Sequence, residues 1–123
     1  MVQVLKSKYD FNTTLSKLES SILSHNMRIV SRVNAQENLA KAGFRIGGNY
    51  IFEVFRPDFA YRLFQKDLRM GIEPPLRIYV FESGGEVYVE YFKPSEVFSK
   101  WGEEEISREL DKIFDDIVGD ALT

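Results

Sequence analysis

The chain has 123 residues, a net charge of −3, no cysteine and one histidine. That length fits one domain, residues 1–123, with room for a real core. Disulfides, thiolate metal centres, cysteine nucleophiles and multi-histidine metal sites are excluded, and no apolar run approaches the ~20 residues of a membrane span.

Val2 to Leu5 predicts a short strand. Phe11, Leu15, Leu18 and Ile22 recur at helical spacing, with Leu23 and Met27 extending the stripe. Asn12 or Thr13 is placed to cap that helix, and His25-Asn26 to stop it. Arg28 to Val33 reads as a β-branched strand. Asn34 to Glu37 then has the pattern of a capping box with Asn at its head, and Gly43 closes a short helix. Gly47-Gly48 turns the chain into a strand over Tyr50 to Phe55.

Pro57-Asp58 opens a middle helix with Phe59, Leu63, Phe64 and Leu68 as its buried stripe, ended by Gly71. Pro74-Pro75 keeps the next residues extended. Ile78 to Phe81 and Val87 to Phe92 form a hairpin about Gly84-Gly85. Pro94-Ser95 begins a last helical region, interrupted at Gly102. Ile106, Leu110, Ile113, Phe114, Ile117 and Val118 make its apolar stripe. Glu103, Glu104 and Glu105 stand at the positive end of that helix. This order of elements predicts an α+β fold with a mostly antiparallel sheet of about five strands and helices packed on one face.

Alternation along the strands separates two faces. Phe52, Val54, Ile78, Val80, Val87, Val89 and Tyr91 form the expected core face. The other carries Ile51, Glu53, Phe55, Tyr79, Phe81, Tyr88, Glu90 and Phe92. That second face is too aromatic to stand in water, so a cover is expected. A second copy of the chain is the leading candidate, which makes Ile51, Phe55, Tyr79, Phe81, Tyr88 and Phe92 the candidate dimer face. The middle helix and a stacked ligand or single-stranded nucleic acid are the alternatives.

The charges are unevenly spread: residues 93–123 sum to −5 and residues 1–92 to +2. An acidic chain repels phosphate backbones, and Glu53 and Glu90 share the aromatic face, so nucleic-acid binding is disfavoured. Arg62, Lys66 and Arg69 recur along the middle helix with Arg56 before it. They read either as a solvated face with local ion pairs to Asp58 and Asp67, or as the candidate site for a small anionic ligand or an acidic partner. The C-terminal helix with Glu109, Asp111, Asp115 and Asp116 is among the candidate partners, from the same chain or a second copy. The acidic clusters Glu103–Glu105 and Asp115-Asp116 read as a solvated face. His25, with no acidic neighbour in sequence, reads as a surface or capping residue. Gly43, Gly47 and Gly48 lack the spacing of a phosphate loop.

The run Asn34-Ala35, then Lys41-Ala42-Gly43, then Pro75 to Glu82, Val87 to Tyr91 and Pro94 resembles the domain-of-unknown-function 302 family. Ser7 to Phe11 and the helix after it match that pattern too. The resemblance implies a TATA-binding-protein-like architecture and a homodimer, and no activity. No apolar stretch follows Lys6 and Lys8 as in a signal peptide, so a cytoplasmic protein is expected, and the reading is a non-catalytic homodimeric domain that binds a small ligand or partner protein. It has no catalytic or metal residues, no cofactor, and no nucleic-acid or membrane partner. The alternatives are a small enzyme with a carboxylate and arginine cleft, or a single-stranded nucleic-acid module on the aromatic face.

Overall fold

Five segments, four of them rich in β-branched and aromatic residues, pair into one antiparallel sheet in a computed structural model that describes residues 1–123. They are β1 (Gln3–Ser7), β2 (Arg28–Asn34), β3 (Asn49–Phe55), β4 (Leu76–Ser83) and β5 (Glu86–Tyr91). The order across the sheet is β1-β5-β4-β3-β2, and every neighbouring pair is antiparallel. The β4–β5 turn is two residues long, with Ser83 facing Glu86. Gly84 and Gly85 have φ of 59° and 79°, the left-handed conformation that a tight hairpin turn demands.

The helices are α1 (Phe11–Ser24), α2 (Ala35–Lys41), α3 (Pro57–Lys66), α4 (Pro94–Ser99) and α5 (Glu105–Leu122). Asp10 caps α1, its carboxylate accepting the Thr13 N–H at 2.7 Å. The cap therefore precedes the Asn12 or Thr13 expected for it, because the helix already begins at Phe11. Asn26 leaves α1 with a φ of 63°, the expected left-handed exit. Asn34 caps α2 by accepting the Glu37 N–H at 3.0 Å, again as expected.

The core face holds the residues assigned to it. Phe52, Val54, Ile78, Val80, Val87, Val89 and Tyr91 pack against Leu18 and Ile22 of α1 and Phe114, Ile117, Val118 and Ala121 of α5. Small polar residues on the buried side of α1 tie it to α5 and to β1. Buried Ser21 donates to the Ile117 carbonyl at 2.6 Å, and Thr14 pairs with Ser7 at 2.7 Å. Leu23, expected in the stripe of α1, points away and is exposed. Ser21 and Ile22 already fill the core-facing arc beside it.

A second apolar cluster lies beyond the sheet. Phe59 and Leu63 of α3 meet Met70, Phe98 of α4, and Ile106 and Leu110 of α5. The middle helix is therefore occupied here and does not cover the aromatic sheet face. The helix is also shorter than expected. Asp67 is extended (φ −161°, ψ 113°) and caps a 3-10 turn, Leu68–Ile72, by accepting the Arg69 N–H. That break swings Leu68 out to 78% exposure and puts Met70 into the cluster instead.

The open face and the basic row

Strand register assigns the opposite face residue by residue. Ile51 lies across from Tyr79, Tyr79 from Glu90, Phe81 from Tyr88, Glu53 from Arg77 and Val4 from Glu90. Residues directly opposite share a face. Ile51, Glu53, Phe55, Tyr79, Phe81, Tyr88 and Glu90 are all half-buried by their neighbours alone, and Phe92 is 58% exposed. The hydrophobic clusters that engage the helices lie on the reverse side.

The aromatics on this face are ordered. Tyr79 stacks on Phe81 at 5.1 Å between centroids, and Phe81 on Tyr88 at 5.4 Å, each with planes 24° apart. Such offset stacks add stabilisation beyond burial. Asn49 donates its side-chain N–H to the Tyr79 hydroxyl at 2.6 Å. That leaves the phenolic proton free to donate elsewhere. A concavity of about 300 Å³ opens here between Val2, Asn49, Ile51, Tyr79, Glu90 and Phe92, with Arg77 on its rim.

Charge on the face is mixed. Lys6 pairs with Glu86 at 3.3 Å, while Arg77 reaches Glu53 only at 3.7 Å. Glu90 has no basic partner in its own chain. Arg28, facing Phe55, adds a cation at the β2 edge.

The four bases proposed for an anion site are not gathered into one. Arg56 binds Asp58 at 2.8 Å and lies over the Phe59 ring. Arg62 takes both oxygens of Glu109, and Lys66 reaches Glu103 at 3.0 Å. Arg69 is off the helix altogether, past the break at Asp67, and pairs with that same residue at 2.8 Å. Each base already has a carboxylate, and two of these come from α5 or its leading turn. Arg62 and Lys66 thus tie α3 to α5 and its leading turn, while Arg56 and Arg69 pair locally.

Two acidic expectations change with the structure. Glu103 is not solvated: it is 3% exposed, accepts the Ser107 N–H at 2.8 Å, and holds Lys66. Burial raises its pKa, but the Ser107 N–H and the Lys66 ammonium outweigh this and hold it below the ordinary glutamate range. Nothing in sequence marked it apart from Glu104 and Glu105. Only the chain turn at Gly102 (φ 72°) points one of the three inward. His25 does have an acidic neighbour, supplied by the far end of the chain. Its Nε2 lies 3.2 Å from Asp120 while Nδ1 meets the Ser21 carbonyl at 2.8 Å.

Away from both regions, Glu73 is held below the ordinary glutamate range. Burial opposes this, but the Lys100 ammonium and the Trp101 N–H outweigh it. Burial and a hydrogen bond to Asp115 push the Tyr91 phenol above the ordinary tyrosine range.

The class these features define is an α+β domain with one sheet face under helices and the other open. The comparisons agree with that class. The sequence profile of the family described as "Domain of unknown function DUF302" matches residues 3–120, so the chain belongs to that family. A crystal structure of an uncharacterized conserved DUF302 protein from Bacillus stearothermophilus superposes with a TM-score of 0.90. The two chains are 20% identical, and the match covers 99% of this chain and 98% of that one. At that identity the likeness speaks for the fold. No curated protein matches the chain.

Proposed function

We propose that this protein is a non-catalytic domain that self-associates through the open face of its sheet. The observation that carries this reading is the stacked row Tyr79, Phe81 and Tyr88, flanked by Ile51 and Phe92, on a face that the chain's helices leave bare. An apolar face of this kind marks an interaction site.

Area supports a protein partner. Five strands about 4.8 Å apart and roughly 20 Å long give a projected patch of about 480 Å². Side-chain relief brings the accessible area toward the ~800 Å² per partner of a standard interface. Charge supports a second copy as that partner. The face carries both signs, with Arg28, Lys6 and Arg77 among Glu53 and Glu90. A self-complementary surface needs both signs on one patch. Nucleic acid would bring phosphates against the two glutamates.

A second reading has one observation in its favour. The 300 Å³ concavity places an apolar floor beside Asn49, the Tyr79 hydroxyl, Arg77 and Glu90. That is the make-up of a small-molecule site at the lower end of the usual size range. Light scattering at micromolar concentration separates the readings. Twice the chain mass is expected, and a monomer at high concentration overturns self-association. A co-purified small molecule released from such a monomer in native mass spectrometry would favour the second reading.

A further inference from the structure

The open face holds two opposite charges, Arg77 and Glu90, that are close but not paired with each other. Glu90 faces Tyr79 across the β4–β5 ladder, and Arg77 lies two residues along β4 from Tyr79. The two charged residues are therefore diagonal neighbours, their backbones ~7–8 Å apart. They do not pair with each other. Arg77 turns to Glu53 through Nε at 3.7 Å, too long for a hydrogen bond, and its side chain stays 69% exposed. Glu90 stands half-buried beside aromatic rings and forms no ion pair in its own chain, its other diagonal neighbour, Lys6, being paired with Glu86 at 3.3 Å.

Leaving a carboxylate among apolar side chains costs free energy unless a partner is supplied. A face-to-face dimer supplies one. In a two-fold interface the axis lies in the plane between the copies, so a residue on one side of it meets the residue mirrored on the other. An axis passing between Arg77 and Glu90 sets each over its opposite number in the second copy. The same axis passes close to Tyr79, which faces Glu90 across the ladder, and brings that ring toward its own mate.

We propose that Arg77 of one copy pairs with the partner's Glu90, twice per dimer, and that these two ion pairs fix the register in which the aromatic faces meet. This rests on self-association through the open face. Apolar stacking supplies attraction without direction. Charges at two fixed points select one alignment and reject others through like-charge contacts.

Charge reversal tests it. Arg77→Glu alone sets two carboxylates against each other at both points, and Glu90→Arg sets two guanidiniums. Each single variant is expected to raise the dimer dissociation constant at least tenfold by sedimentation equilibrium. An equimolar mixture of the two variants is expected to form a heterodimer with near wild-type affinity, because both points then carry opposite charges. The double variant Arg77→Glu/Glu90→Arg should self-associate for the same reason. Circular dichroism melting checks that each chain is folded. Arg77→Gln and Glu90→Gln replace a reversal that unfolds, and each is then expected to weaken the dimer and flatten its salt dependence. A dimeric wild type whose variants dimerise equally well, or whose mixture fails to recover, overturns the pairing alone. A monomeric wild type overturns self-association and the pairing with it.

Discussion

The two faces of this sheet are built from the same strands and both carry large apolar side chains, and they have opposite fates. On the covered face the large side chains are aliphatic or deeply inserted, with Ile78, Val80 and Val89 fully shielded and Phe52 nearly so. On the open face they are flat rings lying against one another, with hydroxyls and charges between them. Branched aliphatic residues suit a permanent core, where close packing is reached once, on folding. Tyrosines with mixed charges suit a surface that must tolerate water before it meets a partner. The two faces thus differ in the kind of apolar side chain they carry and in the charges set among them.

That contrast can be broken from either side. Phe52→Ala removes a ring from the covered face and should destabilise the folded chain by about 3–5 kcal/mol, read as a lower urea midpoint at unchanged slope. A change under ~1 kcal/mol would mean that the covered face is not the core.

The helical layer over that face offers a smaller effect with a pH signature. Glu103→Gln keeps an acceptor for the Ser107 N–H but loses the charge that holds Lys66. A cost of about 1 kcal/mol at neutral pH is expected. The folded-state pKa of Glu103 is depressed, so its contribution is present above the unfolded value near 4.5 and is lost as pH falls below that toward the folded value. Wild type and variant stabilities should therefore converge on acidification through that window. Parallel curves would remove the ionised carboxylate from the account.

The smallest effect on the folded chain is expected on the open face. Phe92→Ser should leave the urea midpoint, measured at concentrations below dimerisation, within about 0.5 kcal/mol of wild type. It should nevertheless weaken self-association in light scattering. A large loss of folding stability would instead make Phe92 part of the chain's own core.

Much of this contrast is legible in the sequence because alternation is a local property. Tyr79 and Phe81 must lie on one side of β4 and Ile78 and Val80 on the other, whatever surrounds them. The Gly84-Gly85 turn fixes the pairing of β4 with β5, and so the register of both faces. What was not legible depends on distant segments or on one dihedral angle. Asp67 breaks the middle helix and sends Leu68 outward, although the apolar spacing runs straight through it. Glu103 is buried because Gly102 turns the chain, and Asp120 reaches His25 across most of the sequence. The basic row illustrates the same limit. The spacing of Arg62, Lys66 and Arg69 left a common anion and separate acidic partners both open; the structure pairs them separately, with Glu109 and Asp67 among the partners the sequence offered and Glu103 one that it did not.

The strand order has a consequence for how the molecule is made. β1 ends at Ser7, yet it pairs only with β5, which begins at Glu86. A growing chain emerges from the ribosome N-terminus first, so this strand must wait for about 80 further residues before its neighbour exists. Closing so large a loop is entropically slow, whereas the β4–β5 hairpin can form on a microsecond scale. Meanwhile α1, following β1, has neither α5 nor the sheet to shield Leu18 and Ile22. The expected sequence is a late closure in which β1 docks at the sheet edge beside β5, and nascent chains truncated before Glu86 should remain protease-sensitive throughout.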